Sequence, residues 1–220
     1  MDLNSIKDES LKQILIEMNK EIEELKRPHT IHFAKVRENA IIPTKRTEDA
    51  GYDLYACFDE DVLIIPAHTT VLIPTGIATC FDNIFAFKLM ERSSTSKKQM
   101  GLRSGVIDSG FRGEIKACIS NLNDVPIIIS KMVNENGETL ASKDLPYMMT
   151  CFSANGETSD ISRVFYENLL TEGIVYPYTK AIVQGVTIYI SEMNSDEISY
   201  EELKNIPSER GFGEFGASGK

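Results

Sequence analysis

The sequence has no apolar run long enough to cross a membrane, and its first residues, Met1 to Glu9, carry neither a basic start nor an apolar signal core. Nothing in it directs export, so a cytoplasmic location is expected. Histidine is scarce, at three residues, and none stands at metal-ligand spacing from another. Cys57, Cys80, Cys118 and Cys151 are widely separated and form no Cys-x-x-Cys pair, which points to free thiols and away from a zinc knuckle or a disulfide framework. Basic charge is also short, with 23 Lys and Arg against 33 Asp and Glu and a net charge of −10. That balance argues against broad attraction to nucleic acid, which needs clustered cations. A small anionic ligand would instead be met by local basic groups and a cation. Internal repeats and low-complexity tracts are absent.

What is present suits one domain with appendages, since 220 residues at 42% hydrophobic content can bury a core. From Ser5 to about Lys26 the pattern is helical, and Pro28 stops it. Leu11, Leu15, Met18, Ile22 and Leu25 are spaced by alternating four and three residues. Such a seam fits either a short parallel bundle at an oligomer axis or a helix lying on its own domain. Branched runs then alternate with turn signals at residues 32–36, 61–65, 69–73, 85–89, 113–119 and 181–190. The expected fold is mainly β, a barrel or sandwich of many short strands. Residues 128–176 read as an α+β insertion, with a helix expected over 159–172.

Four segments carry polar chemistry. Gly105 to Ile115 reads as a strand, a tight turn around Asp108 to Gly113 and a return strand, which leaves Asp108 either facing a pocket or serving the turn. Arg92, Ser93 and Ser94 follow an apolar strand and lie where hydroxyls could hold phosphates or simply make a solvated turn. Ala50 to Ala56 alternates as a strand with Asp53 on one face. Arg210 to Lys220 combines four glycines with Arg210 and Phe215, so its backbone can curl around anionic oxygens while a guanidinium and a flat ring reach the ligand. A fraying terminus is the plain alternative.

Taken in order, these segments resemble the trimeric dUTPases, the deoxyuridine triphosphate pyrophosphatases. The first family motif matches Ala50 to Leu54, the second Arg92 to Ser94, the third Gly105 to Gly113 and the fifth Arg210 to Gly219. There are three departures. Phe111 replaces the usual tyrosine, the fourth motif reads Thr179 to Gln184 with Ala181 in place of arginine, and about fifty extra residues precede it, as in some phage members. The resemblance implies a dUTPase-like β-barrel from residues 29–127 and 177–207, a helical extension over 1–28, the insertion at 128–176 and a mobile lid at 208–220.

The resemblance further implies hydrolysis of dUTP to dUMP and pyrophosphate, which keeps uracil out of DNA and supplies dUMP for dTMP synthesis. Asp108 would deprotonate the attacking water. Mg²⁺ would bridge the phosphates, with Asp53 touching it through water. Arg92, Ser93, Ser94 and Gln184 would hold the phosphate chain, and Arg210, Gly216 and Ser218 would close over it. Phe215 would stack on uracil, Gly105, Ile107 and Lys116 would read its edge through their main chains, and Phe111 would support the sugar. A homotrimer is implied. The related dCTP deaminases share Ile107 to Phe111 but carry a catalytic glutamate where this chain has Cys118. A binding module using Tyr147, Met148, Met149, Phe152, Phe165, Tyr166, Tyr176 and Tyr178 of the insertion as anchors for a protein partner is the third reading.

Overall fold

The computed structural model describes residues 9–26, 29–103, 105–191 and 193–207. It divides into two units, residues 1–190 and 191–220. The expected tail residues Arg210, Phe215, Gly216 and Ser218, and with them the lid at 208–220, lie outside the described residues.

In chain order the first unit contains α1 (Glu9–Lys26), β1 (His32–Lys35), β2 (Tyr52–Tyr55), β3 (Val62–Ile65), β4 (Thr70–Pro74), β5 (Ile77–Cys80) and β6 (Phe85–Met90). There follow α2 (Ser93–Ser96), β7 (Met100–Leu102), β8 (Val106–Ile107), β9 (Lys116–Asn121) and β10 (Ile127–Ser130). The unit ends with β11 (Met148–Phe152), β12 (Thr158–Ser162), α3 (Arg163–Glu172), β13 (Ile174–Pro177) and β14 (Ala181–Tyr189). The second unit holds α4 (Tyr200–Lys204), whose start is closed by a reciprocal cap between Ser199 and Glu202.

The fold is mainly β, as expected. Hydrogen bonding is distributed over four sheets, ordered β1-β5, β12-β11-β3-β10-β13, β2-β14-β6-β8 and β4-β9-β7, and does not close into one ring. All four share one core. Leu54, Ile65, Ile73, Phe87, Ile119 and Val183 meet in it from different strands, each buried. At Gly185 an added Cβ would lie 1.9 Å from the Phe87 ring, so β14 can cross the core there only without a side chain.

Two expectations change. The segment after Gly105 is not a hairpin, because β8 pairs with β6 while β9 pairs with β4 and β7. It turns a corner between sheets. Glu114 braces that corner: its Oε1 accepts from Gly76 N at 2.8 Å and from Arg37 Nε at 3.0 Å. The expected helix over 159–172 begins only at Arg163. Residues 158–162 are drawn into β12 by pairing with β11, and Ser162 caps α3 by accepting from Phe165 N at 3.2 Å.

The insertion also packs more closely than its composition suggests. Ile128 to Ser130 belong to β10, buried between β3 and β13, and β11 joins β3 in parallel. Val62, Ile128, Leu145, Met149 and Tyr166 form a second core under α3, and Tyr166 Oη lies 2.7 Å from Ser130 Oγ. Met149, Tyr166 and Tyr176 are therefore interior residues, Phe152 and Tyr178 are half-buried, and only Tyr147, Met148 and Phe165 of the eight candidate anchors are exposed.

Candidate functional site

The four-stranded sheet gathers distant segments at one of its ends. Gln184 on β14 stands opposite Asp53 on β2 and, on its other side, opposite Met90 on β6. Arg92 follows Met90 by two residues, so the first, second and fourth motif segments meet in one row. A bulge in β14 between Ala181 and Val183 re-aims the strand beside them. A cleft of about 840 Å³ opens there, lined by Asp53, Arg92, Ser93, Ser94 and Gln184 and by the loop that precedes β2.

Arg92 organises the cleft floor. Its Nε lies 2.9 Å from Asp53 Oδ1, and its Nη2 donates to Asp53 Oδ2 at 3.1 Å. Its Nη1 donates to the Ala181 carbonyl at 3.0 Å and to Ser94 Oγ at 3.3 Å. Three hydrogen bonds and one further ion-pair contact thus hold the guanidinium in place. The Ala181 carbonyl also accepts from Tyr176 Oη at 2.6 Å, so the wall behind the cleft is pinned from β13. Burial pushes the Tyr176 phenol up, which keeps it a neutral donor.

Gln184 is held by donating from Nε2 to the Glu91 carbonyl at 2.9 Å. A Cβ at position 51 would lie 2.9 Å from Gln184 Oε1, and Gly51 admits the close approach. Lys45 and Arg46 also line the cleft, although motif spacing does not mark them. They arrive because Thr44 bridges to Asp53. Arg46 is latched to Asp49, with Nε to Oδ2 at 2.8 Å and Nη2 to Oδ1 at 3.0 Å.

Residues 37–133 match the family model described as dUTPase. The deoxyuridine 5'-triphosphate nucleotidohydrolase of Leptospira interrogans serovar copenhageni is 37% identical over 103 residues, covering 45% of this chain and 70% of that protein. The chain belongs to the dUTPase family. The same enzyme of Wolbachia pipientis from Culex pipiens is 40% identical over 87 residues, covering 38% of this chain and 56% of the relative. Among solved structures, a Staphylococcus bacteriophage 80alpha dUTPase with dUPNHPP superposes with a TM-score of 0.59 at 22% identity, covering 87% of this chain and 99% of the phage chain. A phage phi11 dUTPase, described with a structural Mg(II) ion, superposes at 0.50 and 20% identity, covering 78% of this chain and 99% of that one.

The third motif does not reach this cleft among the described residues. None of Gly105, Ile107, Asp108, Phe111 and Lys116 lines it. In β6 the residue paired with Ile107 is Phe87, five residues before Arg92, so Asp108 leaves the sheet on the order of 17 Å from Arg92 along the strand. Asp108 accepts from Phe111 N at 3.0 Å through its carbonyl, which closes the turn. The half-exposed Phe111 ring lies over Gly113, where a Cβ would come within 2.6 Å of it. Lys116 instead borders a second hollow with Phe152 and Asn155 of the insertion.

Among the described residues no three His, Cys, Asp or Glu side chains converge as a metal cluster. Both Asp53 oxygens face Arg92, yet a carboxylate offers about four acceptor positions, so Asp53 retains capacity to receive metal-bound waters. The donor set fits Mg²⁺ held chiefly by phosphate oxygens and water.

Proposed function

We propose that this chain hydrolyses dUTP to dUMP and pyrophosphate. The observation that carries the reading is the row Asp53, Gln184 and Arg92 to Ser94, which brings three dUTPase motifs to one cleft. A water oxygen bonds to the α-phosphorus, the bond to the bridging β-phosphate oxygen breaks, and the water's proton passes to the Asp108 carboxylate. Ser93, Ser94 and Gln184 hold the phosphate chain. Arg92 fixes Asp53 and Ser94 and adds positive charge beside the phosphate oxygens. Asp53 would hold Mg²⁺ through water, and the ion would supply charge neutralisation for the leaving pyrophosphate.

Asp108 serves the cleft of another copy in this reading, supported by its separation from Arg92 along β6. A homotrimer supplies that copy. Gly105, Ile107 and Lys116 read uracil through main-chain groups, Phe111 bears on the deoxyribose, and Arg210, Phe215, Gly216 and Ser218 close the site as a lid over 208–220. The barrel at 29–127 and 177–207, the extension at 1–28 and the insertion at 128–176 complete the organisation, with Ile129 of the insertion contributed to the barrel core. The product role is to keep uracil out of DNA and feed dTMP synthesis in the cytoplasm.

The test is incubation with Mg²⁺ and, separately, dUTP, dCTP, dTTP and UTP, with products resolved by chromatography. Formation of dUMP from dUTP alone is expected. Conversion of dCTP would favour the deaminase, which the half-buried Cys118 thiol on β9 argues against, and absence of turnover would overturn the reading.

A second role for the insertion rests on its exposed edge. Tyr147, Met148, Val164 and Phe165 are exposed, and Arg163 N donates to the Tyr147 carbonyl at 2.9 Å, which gathers them at the start of α3. This patch suits a protein partner. Replacing Tyr147 and Phe165 by alanine should abolish that binding and spare dUTP turnover, and retained binding would refute the role.

A further inference from the structure

The helix α1 leaves an apolar seam uncovered within one chain. Met18 and Ile22 are 50% and 41% exposed, Ile14 beside them is 53% exposed, and Leu15 between them is only half-buried. At 18 residues the helix is about 27 Å long, near the length below which isolated helices are marginal in water. It therefore needs a partner for its apolar face. The residue spacing says what kind of partner. Leu11, Leu15, Met18, Ile22 and Leu25 follow a strict alternation of four and three, the 3.5-residue period that keeps a seam facing another helix of the same kind.

We propose that α1 pairs with the α1 helices of other copies in a parallel coiled coil, and that this coil clamps the assembly on which the shared catalytic site depends. With Leu15 and Ile22 at a and Met18 at d, Ile14 and Glu21 fall at g, and Lys12, Asn19 and Lys26 at e. In a parallel register Glu21 of one helix meets Lys26 of its neighbour, an attractive pair. An antiparallel register would instead bring Lys12 towards Lys26, two like charges, so charge selects the parallel arrangement. Ile14 widens the apolar face from a and d to g, as in bundles of more than two helices. Ile16 falls at b, on the outer side. Parallel helices can meet on a three-fold axis, and a site that takes Asp53 and Asp108 from different copies gains directly from a device that holds those copies together. The clamp rests on the shared-site reading above for its consequence, but its geometry does not.

The test compares the full chain with a Met18→Glu, Ile22→Glu double variant, whose exposed positions leave the folded body untouched. Sedimentation and specific activity are followed over a dilution series. The full chain should stay assembled with constant specific activity, while the variant should match it when concentrated and dissociate at a concentration higher by at least about tenfold. Identical dissociation of both proteins would overturn the clamp and leave the shared site standing. A full chain that is active as a monomer would overturn the shared site itself. Oxidative cross-linking then checks direction: Ile22→Cys should give disulfide-linked chains and Lys20→Cys, on the outer face, should not. Equal cross-linking of the two would exclude the parallel seam.

Discussion

Arg92 and Asp53 face each other as fork to fork, with N–O separations of 2.9 and 3.1 Å, and the same guanidinium reaches the Ala181 carbonyl and Ser94. Both side chains are about one-third exposed or less. The pair thus lies where water screens it only partly, and its planar geometry matters more than its charge. Arg92→Lys keeps the charge but cannot reach Asp53, the Ala181 carbonyl and Ser94 with one planar fork. A fall in kcat/KM of roughly 10²-fold is expected, with thermal stability lowered by only about 1 kcal/mol. Steady-state kinetics beside thermal unfolding would separate the two effects.

Tyr176 supports this pair from behind. Removing its hydroxyl in Tyr176→Phe leaves the Ala181 carbonyl with Arg92 as its remaining partner, and a loss of about 1–2 kcal/mol is expected. For a protein of this size a drop in Tm of about 2–6 °C is expected. An unchanged Tm would mean that the bond contributes nothing net.

Two glycines separate folding from activity. Gly51→Ala sets a methyl 2.9 Å from Gln184 Oε1, a side-chain end that can swing away, and 3.1 Å from Gln184 Cβ, where β14 must yield by a few tenths of an ångström. Folding should survive while kcat/KM falls about tenfold. Gly185→Ala drives a methyl to within 1.9 Å of the Phe87 ring in the core, and a cost of at least about 2–3 kcal/mol follows. Combining it with Phe87→Leu should recover part of that stability, which denaturant titration would detect.

Sharing of the site between copies can be tested by complementation. Asp53→Asn and Asp108→Asn should each be nearly inactive. If one site takes Asp53 from one copy and Asp108 from another, dissociating and remixing the variants in equal amounts should restore roughly a quarter of the native activity, the fraction of sites that draw both intact residues. No recovery, with mixed assemblies demonstrated, would place both carboxylates in one chain.

Buried acids predict the alkaline limit of stability. Burial raises the Cys151 thiol to about 11 and the Tyr178 phenol to about 12. Each folded-state value lies above its unfolded one, so the neutral groups stabilise the fold fully below the unfolded values. That contribution is lost as pH rises through about 9 to 12. Stability should therefore decline over that window, and Cys151→Ser should flatten its lower part. Denaturant midpoints across the window would show it.

Local chemistry made much of this protein legible in its linear order. Strand alternation, the turn residues and the motif order of Asp53, Arg92 to Ser94 and Gln184 depend on near neighbours, and they identified the family and the residues of the cleft. The heptad spacing of α1 is equally local, because a period of 3.5 is written along one helix. Other features depend on which strands pair, and pairing is settled by competition for one core across the whole chain. That competition separates β8 from β9 and so turns an expected hairpin into a corner. It draws Ser159 to Ser162 out of a helix into β12, and it buries Tyr176 behind Ala181. It also sets Asp108 at the end of β6 away from Arg92. Two residues that the motifs join on paper are thereby held apart in one chain, because an extended strand does not shorten.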